Sequence, residues 1–246
     1  MSSTPITQAV VLAAGMGSRL RESSAHLPKP LCPVAGIPLL RRVLGTLKAA
    51  GISEVAIIVG YEGGQIRDSL TQSSLGLDIR FVENTRYRDK NGVSLIAAAE
   101  FITRDCVLTM SDHLYPPVLV KRLLAPEFAD GHCALAVDYK IDLCSDIDDA
   151  TKVKIRDGHI DDINKQLENY DALDTGVFRI GPSLITELQA LDREHGDCSL
   201  SEGVKLLASR DMFHTVDVGD ARWIDVDTPE ALAEAERDLT TFTVDR

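Results

Sequence analysis

Residues 12–20 read Leu-Ala-Ala-Gly-Met-Gly-Ser-Arg-Leu, and they continue an apolar run at residues 9–14 that predicts a first strand. Two glycines and small side chains let the backbone approach a phosphate chain, so that bare N–H groups point at its oxygens. Pro-Lys-Pro follows at residues 28–30, and Arg19 and Lys29 bring two cations to the same region. A strand, a glycine loop and paired cations near the start of the chain predict a nucleoside triphosphate site.

This loop differs from two familiar phosphate-binding loops. It lacks the Gly-Lys-Ser/Thr ending of a P-loop and the third glycine of the dinucleotide fingerprint. A tight strand-to-helix turn is the alternative interpretation of the two glycines by themselves. The whole string, together with Pro-Lys-Pro, resembles the nucleotidyltransferases that activate sugar phosphates and phospho-alcohols with a nucleoside triphosphate. We therefore predict catalytic roles for Arg19 and Lys29. The predicted nucleotide contacts in the loop are Leu12, Ala13, Ala14, Gly15, Met16, Gly17 and Ser18.

The composition is that of a globular protein and excludes several partners. The 246 residues are 44% hydrophobic and 26% charged, enough for one large α/β domain or two small ones. The net charge of −12 argues against a nucleic-acid partner, which needs a basic surface. No apolar run reaches membrane-spanning length and the N-terminus has no signal-peptide core, so no membrane partner is expected. Scattered cysteines without a Cys-x-x-Cys motif favour the reducing cytoplasm; they are Cys32, Cys106, Cys133, Cys144 and Cys198.

Strand and helix patterns alternate along the first half of the chain. Helical patterns start near residues 39, 93 and 118, and strands are predicted at residues 9–14, 54–59, 78–82, 106–110 and 134–137. This order predicts an α/β fold with a Rossmann-like, mostly parallel central sheet and helices on both faces.

The second half changes character. Asp157-Gly158 lies between two strand-like segments and predicts a hairpin. A further strand is predicted at residues 174–180, a strand pair at residues 213–218 and 222–226, and helices at residues 182–191, 200–208 and 229–239. We interpret residues 1–246 as a single nucleotidyltransferase domain. About residues 1–135 form its nucleotide-binding half, and about residues 136–246 form an acceptor-binding half with a small β-rich insertion and a C-terminal metal aspartate.

Carboxylates follow two of the predicted strands. Ligands of open parallel sheets bind beyond the carboxyl ends of the strands, and Asp112 follows the strand at residues 106–110. Because Mg²⁺ prefers few carboxylates together with phosphate oxygens and water, Asp112 is a candidate ligand; a loop or helix-capping aspartate is the alternative. The resemblance implies a second ligand just before the final helix. We favour Asp227 over Asp225 for this role, although Asp227 is equally suited to cap that helix. The expected cofactor is Mg²⁺.

The reaction class follows from this set of residues. The phosphate of the acceptor attacks the α-phosphorus of the nucleotide, and pyrophosphate leaves. An acceptor phosphate is already an anionic nucleophile, so the protein must align two anions and neutralise their charge rather than supply a strong base. Lys165, after the predicted hairpin, is the candidate for the acceptor phosphate and a catalytic role, with a solvated surface lysine as the alternative. Sugar nucleotidyltransferases carry a Glu-Lys pair here, whereas this chain has Asn164 before the lysine.

The choice of nucleotide is indicated by Asn91 and Ser94, which form an Asn-x-x-Ser pattern. The pattern resembles the cytidylyltransferases that act on phosphocholine, inositol 1-phosphate and some phosphonates, and it predicts CTP as donor. Ser94 would contact the cytosine edge, or else only cap a helix. Gly60 and Tyr61 follow the second predicted strand and are also expected at the nucleotide.

The acceptor is indicated by segments at residues 111–115, 171–178 and 223–230, which resemble the inositol-phosphate branch. The predicted acceptor contacts are Asp112, His113, Lys165 and Asp174, the last binding a polyol or countering an amine. We therefore expect a cytidylyltransferase using CTP and a small phosphorylated or phosphonate acceptor, inositol 1-phosphate being favoured. Two alternatives stay open: a sugar-1-phosphate nucleotidyltransferase using UTP or dTTP, and a silent nucleotide-binding regulatory subunit. The sequence leaves the oligomeric state open, with a homodimer as one assembly.

Overall fold

The computed structural model describes residues 5–17, 27–71, 75–144 and 146–242 of the chain. Thirteen strands and eight α-helices lie in these ranges. The strands are β1 (Gln8–Ala13), β2 (Pro33–Val34), β3 (Ile37–Pro38), β4 (Glu54–Val59), β5 (Asp78–Glu83), β6 (Cys106–Met110), β7 (His113–Leu114), β8 (Cys133–Asp138), β9 (Lys152–Arg156), β10 (His159–Asn164), β11 (Ala172–Ile180), β12 (Phe213–Asp217) and β13 (Ile224–Asp225). The helices are α1 (Leu39–Ala49), α2 (Gly63–Thr71), α3 (Asn91–Ala97), α4 (Pro117–Leu124), α5 (Pro182–His195), α6 (Leu200–Ala208), α7 (Pro229–Arg237) and α8 (Leu239–Phe242).

The first half of the chain forms the parallel part of a nine-stranded sheet with the order β5-β4-β1-β6-β11-β8-β12-β10-β9. β1 pairs in parallel with β4 and β6, and β4 pairs in parallel with β5. The predicted strands at residues 54–59 and 106–110 have these bounds in the structure. The α/β fold predicted from alternating strands and helices is confirmed.

The second half makes the sheet mixed. β11 inserts between β6 and β8 and is antiparallel to both. The predicted hairpin is present as β9 and β10, and β9 also pairs with the start of β11, so the hairpin extends the main sheet at its edge. The predicted strand pair at residues 213–218 and 222–226 is wrong. β12 pairs with β8 and β10 instead, and β13 pairs with β7.

Both faces of the sheet are covered, which explains why β1 is an apolar run without polar alternation. Val11 and Ala13 belong to the core on one face, which also contains the apolar side of α1, whereas Val10 and Leu12 belong to the core on the other face, which contains side chains of α3, α5 and α6. All four side chains are buried. The helical stripe from residue 39 onward buries its apolar face in the first of these cores.

The strand directions bring several segments to one edge of the sheet. Parallel strands β1, β4 and β6 end at this edge. Because β11 runs antiparallel to β6 and β8, its start and the end of β8 reach the same edge. This edge is therefore where loops from both halves of the chain meet.

Candidate active site

The glycine loop packs directly on Lys29. Gly17 has a φ of +54°, a backbone conformation that favours glycine. A Cβ at this position would also lie 2.4 Å from the Lys29 Cβ, so both the backbone conformation and the packing require glycine. Lys29 begins a short 3₁₀ turn at Lys29–Leu31, and it is only 5% exposed. Gly15 faces open space, where a ligand can approach its backbone. Ser18 and Arg19 lie outside the described residues.

Three carboxylates converge on the Lys29 ammonium. Lys29 Nζ lies 2.6 Å from Asp112 Oδ2 and 3.4 Å from Asp225 Oδ1, and it also donates a hydrogen bond to Asp227. The carboxylate side chains keep part of their surface exposed. A buried lysine is thus held by three acids from two distant segments, at the edge to which ligands of this type of sheet bind.

A two-strand ribbon explains this convergence. β7 pairs with β13 in antiparallel register, with Asp225 opposite His113. The Val226 N–H donates to the Asp112 carbonyl at 3.0 Å, which extends the pairing by one step. The C-terminal segment is thereby bound to the segment that follows β6. Thr228, rather than Asp227, caps α7, because its side chain accepts from the Ala231 N–H at 3.1 Å.

His113 is the second cationic group of the cluster. Its Nδ1 donates to the Thr175 carbonyl at 2.8 Å, and its Nε2 faces Asp225 Oδ2 at 3.4 Å. Burial disfavours the charged ring, but Asp225 and Asp112 outweigh it and raise the pKa of His113 to about 9. The same pairing with His113 and Lys29 outweighs burial at Asp225 and holds the pKa of that carboxyl below its usual range.

The structure contains one group suited to a metal ion among the described residues. Ligand atoms of Asp112, His113 and Asp225 lie within 4.8 Å of one another. Carboxylate oxygens are the ligands that hard divalent cations prefer, so the acidic cluster fits such an ion. Asp227, the predicted partner of Asp112, contacts the same Lys29 ammonium but is not in this group. The structure thus brings both candidate aspartates to the site.

A cavity of about 380 Å³ lies between the glycine loop and this cluster. Its lining includes eleven of the predicted site residues: Leu12, Ala13, Ala14, Gly15, Gly17, Lys29, Asn91, Ser94, Asp112, His113 and Asp227. Of the residues predicted to contact the nucleotide, three that the structure describes are not in this lining. Met16 is 44% exposed, the Tyr61 N–H donates to the Ala14 carbonyl behind the loop, and Gly60 packs against Tyr87.

Ser94 lies in the first cavity, inside α3 rather than at its cap. Its hydroxyl accepts a hydrogen bond from Asn84 Nδ2 at 2.9 Å, and both residues are buried. Among the described residues, no acceptor takes the Ser94 hydroxyl proton, so the group is able to donate to a ligand. Asn91 Oδ1 accepts from the Leu200 N–H at 2.8 Å and thus ties α3 to α6.

A second cavity, of about 500 Å³, opens beside the first. The two cavities share four lining residues, which are Asn91, Met110, His113 and Asp227. Lys165 lines the second cavity and is ion-paired with Asp149 at 2.8 Å. Asp174 also lines it, at the start of β11; burial raises the pKa of this carboxyl to about 6. Two ligands bound in these cavities would meet at the carboxylate and lysine cluster.

Sequence reasoning missed Asn84, Trp223 and Asp138, which organise the site. Asn84 holds Ser94, and its only signal was its position directly after β5. Trp223, the single tryptophan of the chain, stacks on His113 with ring centroids 5.7 Å apart. Its Nε1 donates to Asp138 Oδ2 at 3.0 Å, which fixes the indole at the wall of the second cavity. A lone tryptophan next to the predicted metal segment was a usable signal for this role.

None of the helices in the described part of the chain has the length and hydropathy needed to cross a bilayer.

Residues 9–203 match the model of one protein family, the MobA-like NTP transferase domain.

Two curated relatives show how far the similarity extends. The chain is 37% identical over 231 residues to the "Bifunctional IPC transferase and DIPP synthase" of Rubrobacter xylanophilus, covering 93% of this chain and 51% of the relative. It is 31% identical over 245 residues to the "CMP-5'-(3-aminopropyl)phosphonate synthase" of Streptomyces rubellomurinus, covering 93% of this chain and 38% of that protein. The chain therefore spans about half or less of the length of these relatives.

A solved structure shares the fold. The inositol-1-phosphate CTP transferase from T. maritima superposes with a TM-score of 0.85 over 96% of each chain, at 24% sequence identity.

Proposed function

This chain belongs to the family of MobA-like NTP transferase domains, and on that premise we propose that it transfers a cytidylyl group from CTP to a small phosphate or phosphonate acceptor. The observation that carries the proposal is the pair of cavities that share His113 and Asp227. A transferase needs two substrates side by side, with their reacting ends at one charged centre. The names of the relatives, which include a phosphonate synthase that forms a CMP product, support this reaction type.

The proposed reaction uses the first cavity for CTP and the second for the acceptor. An oxygen of the acceptor phosphate or phosphonate bonds to the α-phosphorus, the bond to the bridging oxygen breaks, and pyrophosphate leaves with that electron pair. Lys29 and the protonated His113 neutralise the negative charge that gathers between the two substrates. Backbone N–H groups of the glycine loop hold the phosphate chain.

Asp112, Asp225 and Asp227 are the residues that would hold a divalent cation, and we propose Mg²⁺ for this role. Bound Mg²⁺ would neutralise phosphate oxygens and stabilise the leaving pyrophosphate. Lys29 contacts all three of these carboxylates and so keeps the acids close together.

Ser94 is the residue we propose to favour cytosine. Because its hydroxyl accepts from Asn84, it is left to donate its proton to the base. Cytosine N3 is an acceptor, whereas uracil and thymine carry a hydrogen there, and a donor facing a donor leaves both unsatisfied.

The cytoplasmic location and the homodimer considered above stay predictions.

Pyrophosphate release tests the proposed function. CTP, UTP and dTTP should each be combined with inositol 1-phosphate, 2-aminoethylphosphonate, phosphocholine and glucose 1-phosphate. We expect turnover with CTP and at least one non-sugar acceptor. Equal turnover of glucose 1-phosphate with UTP or dTTP would support the sugar-nucleotide alternative. Binding of CTP without turnover of any acceptor would support the silent regulatory subunit.

A further inference from the structure

A polar loop forms part of the wall of the first cavity. Residues 84–90 connect β5 to α3, and two of them, Tyr87 and Asp89, line this cavity together with the glycine loop. Asn84 is the only residue of this connection that is buried. Because apolar packing contributes so little to the loop, hydrogen bonds and ion pairs must hold the two lining residues in place.

Arg86 joins this loop to helix α5. Its Nε donates to Asp89 Oδ2 at 2.8 Å, within the loop. Its Nη1 and Nη2 each donate to one carboxylate oxygen of Asp192, both at 2.8 Å, and Nη2 also donates to the Gly196 carbonyl at 2.6 Å. Asp192 and Gly196 lie at the C-terminal end of α5, where carbonyl groups lack helical partners and a cation is favoured. One guanidinium therefore connects the loop to the end of a helix.

Residues 196–199, which connect α5 to α6, hold the loop and the start of α3 at further points. The Lys90 N–H donates to Asp197 Oδ1 at 2.9 Å. Gly92 packs so closely on the connection that a Cβ there would lie 2.6 Å from the Cys198 carbonyl oxygen. The connection itself is well anchored, because Cys198 is buried and α6 begins with a capping box. The exposed loop is therefore held by the connection, rather than the reverse.

We propose that Arg86 is a positioning residue for the nucleotide: its guanidinium fixes the loop on α5 and thereby places Tyr87 and Asp89 in the wall of the first cavity. The inference rests on the proposed function, since it takes CTP as the occupant of that cavity. Arg86 and Asp192 lie outside both cavities, so the pair acts on a ligand through the loop. A nucleotide that met a loose loop would have to order it on binding, and this cost would weaken the affinity.

Calorimetry of CTP binding in the presence of Mg²⁺ tests this role without an acceptor. Arg86→Lys keeps the positive charge, but a single ammonium lacks the planar fork that reaches Asp89, Asp192 and the Gly196 carbonyl together. We expect the Kd for CTP to rise about tenfold, the scale of the cost of ordering one or two side chains. Asp192→Asn should have an effect of similar size. The double variant should bind no more weakly than the weaker single variant, because both residues act through one contact.

Arg210→Lys is the matched control. Arg210 also forms a bidentate ion pair, with Glu187 of α5 at 2.7 and 3.3 Å, but it lies outside both cavities. Its Kd for CTP should equal that of the wild type, and urea unfolding should show that both variants are folded. An unchanged Kd in Arg86→Lys, an equal rise in Arg210→Lys, or additive effects in the double variant would overturn the positioning role. Failure of the wild type to bind CTP would instead overturn the proposed function, and this inference with it.

Discussion

Replacing Lys29 by methionine should separate the proposed catalytic role of its ammonium from the packing of its carbon chain. Lys29 is 5% exposed and contacts three carboxylates. Removing one preorganised charged group of an active site costs about 10²–10³ in turnover, or about 2.7–4 kcal/mol in the barrier. We expect a loss of this size in pyrophosphate release with CTP. Methionine preserves the packing against Gly17 that alanine would lose.

The same substitution should also lower the free energy of unfolding. Breaking a buried ion pair by removing one partner costs about 3–5 kcal/mol. The side chains of Asp112, Asp225 and Asp227 are 23%, 34% and 18% exposed. Water therefore screens part of their repulsion, and we expect a loss of about 2–3 kcal/mol. Urea unfolding measures it, and saturating Mg²⁺ should restore more stability to the variant than to the wild type.

Lys205→Met is the control, since Lys205 forms a single exposed ion pair with Asp162 at 2.7 Å. The Lys205→Met variant should lose less than about 1 kcal/mol of its free energy of unfolding and keep its turnover. Near-normal turnover of a folded Lys29→Met variant would remove the lysine from the proposed chemistry. Normal stability of that variant would show that the three carboxylates do not depend on it.

Three further predictions concern the metal, the base and pH. Asp112→Asn and Asp227→Asn should each lower turnover by about 10² or more and weaken Mg²⁺ binding in calorimetry; unchanged binding in both would refute the ligand assignment. Ser94→Ala should reduce the preference for CTP over UTP about tenfold, or about 1.4 kcal/mol, in steady-state kinetics at saturating acceptor. An unchanged preference would exclude Ser94 from base selection. Burial is the largest cause that lowers the pKa of His214 below its ordinary 6.5, and repulsion from His159 and His132 adds to it. Because the unfolded chain binds this proton more readily than the folded chain, the free energy of unfolding falls as pH drops through 6.5. In His214→Gln this part of the fall should vanish from urea unfolding between pH 7 and 5, and an equal slope in both proteins would contradict it.

Local patterns were sufficient to predict the five longer strands of the first half and three of its helices, whereas the two-residue strands β2, β3 and β7 were not predicted. The strand at residues 106–110 is a short apolar run, and α1 carries its apolar stripe on one face, so each signal lies within a few residues. The insertion of β11 between β6 and β8 was not predictable in this way. It depends on pairing between residues far apart in sequence, and a strand pattern does not name its partner.

The same limit applies to the site. The glycine loop, Lys29, Asp112 and Asp227 could be chosen because each follows a strand or stands in a motif. That Asp225 also reaches Lys29, across 196 positions, is a consequence of the pairing of β7 with β13. Residue types suggested which groups are candidates for the chemistry, whereas only the register of that pairing decides whether Asp225 or Asp227 faces His113.

The pairing of β7 with β13 also determines when the site can be completed during protein synthesis. The glycine loop, Lys29 and Asp112 leave the ribosome long before Ile224 and Asp225, which bring the last acids to the lysine. A nascent chain that has folded its parallel strands therefore holds Lys29 with Asp112 alone, and its charge centre is incomplete. The cluster of Lys29 with all three carboxylates therefore forms only after residues 224–227 have been made and β13 has paired with β7.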